Sequence, residues 1–220
     1  MKIRDLNELE EKIDVELAWR KKELTSIRID VNESENKEKS EQSKAIRIGI
    51  IMLYAHWEGA IKSVAEFYLA YVSGLQLKYC ELRNNFLAIA IKNDLNKFEE
   101  TKKAKIHNEL IDNIYLKKDE KSKIPYKNVI KTESNLKMEI FADIAATIGI
   151  DENPYILKGK LIDNRLLGNR NKIAHGERFE ILDGISTVSD YLDLHATVLE
   201  LIDQFANNIK EAANNKDYKA

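Results

Sequence analysis

The sequence predicts an all-α protein, a bundle of four or more long helices with a less regular Lys-rich middle segment. Three observations carry that prediction. Among 220 residues there are only 8 glycines and 2 prolines, too few turn-formers to connect many short strands. Apolar residues recur at spacings of three, four and seven over long windows, the period of a helical stripe. The composition is 44% hydrophobic and 33% charged, which supplies a core and also coats long helix surfaces. The length suits one domain spanning residues 1–220.

The first helix is predicted from about Asp5 to Val31, with Leu6, Leu9, Ile13, Leu17, Leu24 and Ile27 on one stripe. The next stretch, NESENKEKSEQS, has no large apolar residue and reads as a turn running into the second helix. That helix, about Lys39 to Leu77, carries Ile46, Ile50, Leu53, Trp57, Ile61, Val64 and Tyr68 on one side. It is also apolar at Ile48, Ile51, Met52 and Ala55, so burial on more than one face is expected. Gly59 inside it costs about 1 kcal/mol against Ala and reads as room for a close helix crossing.

From Tyr79 to Lys131 the pattern is least regular, with helices expected at Leu87–Leu95 and Ala104–Leu116 and any strands short and confined to this part. Ser134 or Asn135 is expected to cap a helix reaching Ile148, with Gly149 just past its end. DENP (Asp151–Pro154) opens another helix, about Tyr155 to His175. After a non-helical stretch to about Gly184, Ser186 or Thr187 caps the last helix, with Asp190 as its capping-box acid. That helix is read to about Asn208, and 209–220 is expected to fray.

Net charge is −2, so bulk charge does not announce a nucleic-acid binder. The one basic block lies between Lys102 and Lys131, nine Lys against four acids. It reads either as a solvated insertion, about residues 100–131, or as a surface guiding a polyanion, with Lys117, Lys118, Lys121 and Lys123 as candidate RNA-binding residues. The single cysteine, Cys80, excludes an intrachain disulfide, fits a reducing cytoplasm and is expected to be a buried thiol. Met1–Asp14 has no apolar signal core, and the dense apolar run Ile48–Ala55 is far short of the roughly 18 residues a membrane helix needs. The chain therefore reads as cytoplasmic, with no membrane partner.

No phosphate-binding glycine loop, dinucleotide fingerprint or nucleophile elbow is present. His56, His107, His175 and His195 show no metal-ligand spacing, so no metal and no cofactor is expected. What remains is acid–base chemistry by a histidine, or binding without chemistry.

Attention falls on RNKIAHGE (Arg170–Glu177). On a helix turning about 100° per residue, Ile162, Leu166 and Ile173 form one stripe with Asn169 among them, which calls for a specific hydrogen bond at that amide. A second face carries Asp163, Leu167, Arg170, Asn171, Ala174 and His175. One reading is an ordinary helix end: Gly176 terminates it, His175 sits favourably near the negative end of the dipole, and Arg170 pairs with Asp163. The other is functional. A histidine titrates near neutrality, an arginine is a fixed cation suited to phosphate, and Asn171 adds a neutral amide. Those are the parts for metal-free RNA cleavage, in which the ribose 2′-OH attacks the adjacent phosphorus. One histidine does not readily serve as both acid and base, which makes a two-fold dimer attractive.

RNKIAHGE resembles the R-x(4–6)-H motif of the HEPN superfamily of all-helical domains. Together with ELAWRKKEL (Glu16–Leu24), LYAHWEGAIK (Leu53–Lys62) and TESNL (Thr132–Leu136), in this order, it resembles a bacterial HEPN-like nuclease family of toxin–antitoxin and defence loci. The resemblance covers nearly the whole chain. It implies a helical bundle, a homodimer with a composite cleft, and a metal-independent endoribonuclease leaving a 2′,3′-cyclic phosphate and a 5′-OH. It implies Arg170 and His175 as the catalytic pair, Asn171 as accessory, and Glu58 as the active-site carboxylate, against the alternative of a Glu58–Lys62 pair along the helix. His56 and Trp57 read as packing. The implied partners are RNA and a cognate antitoxin or neighbouring-gene product. A catalytically silent HEPN module binding RNA or a nucleotide, and a helical adaptor, are the alternatives.

Overall fold

The computed structural model describes residues 3–100, 102–178, 180 and 182–220, apart from the side chains of Asn93, Asp94 and Lys97. The elements in chain order are α1 (Leu6–Glu33), α2 (Lys39–Gly74), a 3-10 turn (Tyr79–Glu81), α3 (Asn84–Ala90), α4 (Lys92–Glu100), α5 (Ala104–Leu116), α6 (Met138–Ile148) and α7 (Asn153–Ile156). A π-helical segment (Leu161–Gly168) then runs straight into α8 (Asn169–Ala174), and α9 (Val188–Asn215) closes the chain. The fold is all-α: among the described residues β pairing is limited to two isolated bridges, Lys78–Lys121 and Leu82–Lys219.

The long helices α1, α2 and α9 pack against one another and form the frame. Their predicted stripes supply the core: Leu9, Ile13, Leu17 and Leu24 of α1, Ile50, Leu53, Trp57 and Ile61 of α2, and Leu194, Val198, Ile202 and Phe205 of α9 are buried. α6, the π segment and α8 lie across α2. Each frame helix starts where its sequence says it should. Asp5 caps α1 by accepting from the Glu8 N–H. Thr187 caps α9 in a reciprocal box, its Oγ1 accepting from the Asp190 N–H while the Asp190 carboxylate accepts from the Thr187 N–H.

Four expectations are corrected. α2 is buried toward α1 and toward α8 and α9, but its ridge at Ile48 (50% exposed) and Ile51 (39%) is open in the single chain. Gly59 does not admit a helix backbone; a Cβ there would lie 2.6 Å from Nη1 of Arg20, whose guanidinium fills the space. Cys80 is exposed, with Sγ 3.7 Å from an Asp119 carboxylate oxygen. The C-terminal stretch is pinned rather than frayed: α9 continues to Asn215, and Tyr218, 4% exposed, meets Tyr71 edge to face. The Arg83 N–H donates to the Tyr218 carbonyl and the Ala220 N–H to the Glu81 carbonyl.

Candidate functional site

The chain turns wide before it reaches RNKIAHGE. In the π segment the ladder closes over five residues rather than four, so the 100° wheel does not apply there. Leu166 and Leu167, adjacent in sequence, are both buried there. At the seam, a Cβ on Gly168 would come within 3.2 Å of the Asp163 carbonyl, five residues back.

Asn169 is fully buried and makes the hydrogen bonds its position demanded. Its Nδ2 donates to the carbonyls of Arg165 and Asp183, and its Oδ1 accepts from the Asp183 N–H at 2.7 Å. This clamp ties the loop after α8 to the helix itself. Lys172 adds an ion pair to Asp183 at 3.0 Å. Arg47 of α2 donates to the Glu177 carbonyl, holding the loop from the other side.

Arg170 is half-buried against α2. Its Cζ lies 4.0 Å from the centre of the Tyr54 ring, a cation–π distance, and Nη2 donates to the Ser134 carbonyl at 2.7 Å. The expected partner, Asp163, is used elsewhere: its carboxylate accepts from the Met138 N–H and so caps α6. Ser134 and Asn135 therefore do not cap that helix. They form a loop in which Glu133 and Ser134 both take φ near +54°.

The TESNL loop reaches the site at three points. Ser134 meets Arg170, Asn135 Oδ1 accepts from Asn171 Nδ2 at 3.3 Å, and the Leu136 N–H donates to Tyr54 Oη at 2.8 Å. Burial pushes the Tyr54 phenol up, the Leu136 amide and Arg170 pull it down, and the nearby Glu58 carboxylate pushes it up again. Glu58 is half-buried and sits on Tyr54's side of α2, with no ion pair to Lys62 among the described residues. Sequence reasoning did not single out Tyr54 or the Ser134 carbonyl, although both lie inside quoted blocks.

His175 ends α8. The Gly176 N–H donates to Ile173 and the Glu177 N–H to Lys172, the two bonds of a Schellman cap, with Gly176 at φ +79° as its left-handed residue. The imidazole is exposed and makes no hydrogen bond, ion pair or ring contact with any described residue. Within one chain Arg170 and Asn171 are thus brought together with Tyr54, Glu58 and TESNL, while His175 stands apart at the rim.

ELAWRKKEL meets LYAHWEGAIK on the opposite flank of α2. The Arg20 guanidinium packs over the Trp19 ring at 4.5 Å and donates twice to Glu16. Burial pushes the Glu16 carboxyl up, but hydrogen bonds from Trp19, Arg20 and Ser63 outweigh it and hold the group below its usual range. His56, 3% exposed, lies 3.0 Å from the Glu23 carboxylate and 5.3 Å from Trp19.

Lys117, Lys118, Lys121 and Lys123 are exposed on the loop after α5. That loop docks on the far end of α2, where the Ser122 N–H donates to Leu77 and Ser73 donates to Ile124. From Tyr54 to Ser73 is about 28 Å along the helix at 1.5 Å per residue. The lysines and Arg170 do not share a site in one chain. Among the described residues no group of three or more His, Cys, Asp and Glu side chains is placed to hold a metal, and no helix is long and apolar enough to cross a membrane.

An all-helical bundle with Arg-x4-His at a capped helix end fits the HEPN-type domain that the sequence resembles. A family model described as RiboL-PSP-HEPN matches residues 15–211, and the chain belongs to that family. No curated protein and no solved structure matches the chain at a significant level.

Proposed function

We propose that this chain is a metal-independent endoribonuclease that acts as a homodimer. One observation carries the reading. At a single helix end, an arginine cation stacks on Tyr54 and donates to Ser134 while an imidazole five residues on is exposed and makes no hydrogen bond, ion pair or ring contact with any described side chain. A positioned cation and an unengaged acid–base group, brought to one cleft by two copies, are what phosphodiester cleavage by a ribose hydroxyl requires. Belonging to a HEPN family supports a nuclease or RNA-related role.

In this reading one His175 takes the proton of the 2′-OH. The oxygen attacks the adjacent phosphorus, the P–O5′ bond breaks, and the second copy's His175 protonates the 5′ oxygen. Arg170 stabilises the added negative charge, Asn171 orients a non-bridging oxygen, and Glu58 sits at the edge of the site. The products are a 2′,3′-cyclic phosphate and a 5′-OH. The open ridge of α2 at Ile48 and Ile51, on the same helix as Tyr54 and Glu58, supplies apolar surface for the second copy. The biological role that fits is a toxin or anti-phage effector restrained by a neighbouring-gene partner.

The test is incubation of total RNA with the wild type, Arg170→Ala and His175→Ala, with and without EDTA. Cleavage by the wild type alone, insensitive to chelator and abolished on a 2′-deoxy substrate, is expected. RNA retention without any cleavage would replace the nuclease with a binding module, and no RNA interaction would leave an adaptor.

A further inference from the structure

We propose that Tyr54 is a positioning residue for Arg170: its ring fixes the plane of the guanidinium, and its hydroxyl locks that plane to the TESNL loop. The inference rests on reading Arg170 as the cation that meets the phosphate. An arginine on a helix surface samples many rotamers, and a cation that must meet a developing charge gains from losing them before substrate arrives.

Here that freedom is removed mainly by the ring. Arg170 Nε is buried with no acceptor among the described residues, and the Nη2 bond to the Ser134 carbonyl holds the guanidinium from one side. The Tyr54 face at 4.0 Å supplies the second restraint. Tyr54 itself is 4% exposed, and its hydroxyl accepts from the Leu136 N–H. The same short loop therefore grips both members of the stack, Ser134 on the cation and Leu136 on the phenol.

The loop's backbone explains how two grips fit in three residues. Glu133 and Ser134 are consecutive non-glycine residues in the left-handed region, a conformation that persists where the surroundings over-determine it. The turn they make aims the Ser134 carbonyl and the Leu136 N–H into the same side of α2. Buried Thr132 and Leu136 anchor the loop at either end, and the Asn135 N–H closes the turn on the Thr132 carbonyl. The Tyr54 hydroxyl accepts from Leu136, and the Glu58 carboxylate lies close enough for its charge to push the phenol up. One side chain thus links the cation, the carboxylate and the loop.

The experiment compares Tyr54→Phe and Tyr54→Leu in the wild-type and Arg170→Lys backgrounds, with kcat and KM measured separately. Tyr54→Phe keeps the ring and is expected to keep kcat within about threefold. Tyr54→Leu loses the stack and is expected to lower kcat by about 30- to 100-fold with KM within about twofold. In the Arg170→Lys background Tyr54→Leu is expected to cost less than about threefold more, because its effect passes through Arg170. Wild-type kcat in Tyr54→Leu, or an equal loss in both backgrounds, overturns the proposal.

A second measurement needs no activity. In arginine-labelled protein the Arg170 Nε–Hε resonance, identified by its loss in Arg170→Lys, is expected to be ring-current shifted in the wild type and in Tyr54→Phe. An unshifted resonance in the wild type overturns the stack whether or not RNA is cut, and decides the matter if Tyr54→Leu does not fold. A shifted resonance in a protein that cuts no RNA removes the nuclease reading and leaves the positioning of Arg170 standing.

Discussion

The side-chain amide of Asn169 holds the backbone of Asp183 at both of its polar groups, accepting from the N–H at 2.7 Å and donating to the carbonyl at 2.9 Å. Asn169 is fully buried, and its Nδ2 also reaches the Arg165 carbonyl at the seam between the π segment and α8. The amide thus serves the Asp183 backbone as a strand partner would. It also fixes the helix that carries Arg170.

Asn169→Ala leaves the Asp183 N–H and carbonyl without their partner. Unmade buried hydrogen bonds cost about 1–3 kcal/mol each, so a loss of about 2–4 kcal/mol is expected in urea unfolding. Asn169→Asp keeps one acceptor, loses both donors and buries a charge, so it is expected to be at least as damaging. A variant within 0.5 kcal/mol of the wild type, on the order of a surface substitution, would show that the clamp is incidental.

This clamp was legible before the structure, because a polar residue among Ile162, Leu166 and Ile173 demands a partner. The frame helices were legible for the same kind of reason: their periodicity is long and their caps are chemically explicit at Asp5 and Thr187. The π segment was not, since nothing in LIDNRLLG marks a ladder of five over a ladder of four. Tyr54 was hidden because it sits next to Leu53 on an apolar helix and reads as core. Its hydrogen-bond partner, the Leu136 N–H, is a backbone group some 80 residues away, about which side-chain patterns say nothing. The C-terminal stretch misled for a simpler reason: ANNKDYKA reads as polar, but Ala213 and Tyr218 are buried and the backbone bonds to Arg83 and Glu81 pin its end.

Gly59 and Arg20 make a second prediction. A Cβ at Gly59 meets Nη1 at 2.6 Å and Nη2 at 2.8 Å of a guanidinium that is bonded to Glu16 and packed on Trp19. Ala gains about 1 kcal/mol of helix propensity over Gly. Displacing a largely buried cation from its carboxylate costs more than that, since breaking such a pair is worth about 3–5 kcal/mol. Gly59→Ala is expected to destabilise by about 1–3 kcal/mol net. In an Arg20→Ala background the obstacle is gone, and the same change is expected to stabilise by about 1 kcal/mol. The reversal of sign, read from urea midpoints, is the test; the same sign in both backgrounds would mean that Arg20 does not set the need for glycine.

The lysine loop gives a third. Because the loop that carries Lys117, Lys118, Lys121 and Lys123 docks on α2 about 28 Å along the helix from Tyr54, these lysines are not expected to touch the same short stretch of RNA as Arg170 of the same chain. Changing all four to Gln is expected to leave cleavage of a short oligonucleotide within about twofold, while weakening binding of long RNA. The slope of log affinity against log salt is expected to flatten by about 0.7 for each lysine that meets a phosphate. Unchanged affinity and slope on long RNA would assign the loop to solvent.

The last prediction concerns acid. His56 and His195 are each 3% exposed. Burial depresses His56, with Arg20 adding to the effect and Glu23 opposing it. Burial likewise depresses His195, helped by Arg28 and opposed by the Leu24 carbonyl, to which its Nε2–H donates. Both imidazoles are therefore less basic folded than unfolded, where the ordinary value is about 6.5. Near and below that value the unfolded chain binds more protons, so the stability they contribute is present above about pH 6.5 and is lost as pH falls through it. Glu16 and Asp190, held below their ordinary carboxylate range, contribute stability that is lost only at still lower pH, below about 4.5. Urea midpoints between pH 8 and about 5 cover the histidine window; the Glu66 carboxyl, which burial raises, works in the opposite sense at the acid end of it, so the comparison with a His195 variant carries the test. The wild type is expected to weaken across that interval, and His195→Gln, which keeps a donor for Leu24 but does not titrate, to weaken less. Parallel curves for the two proteins would rule out His195 as a source of the acid sensitivity.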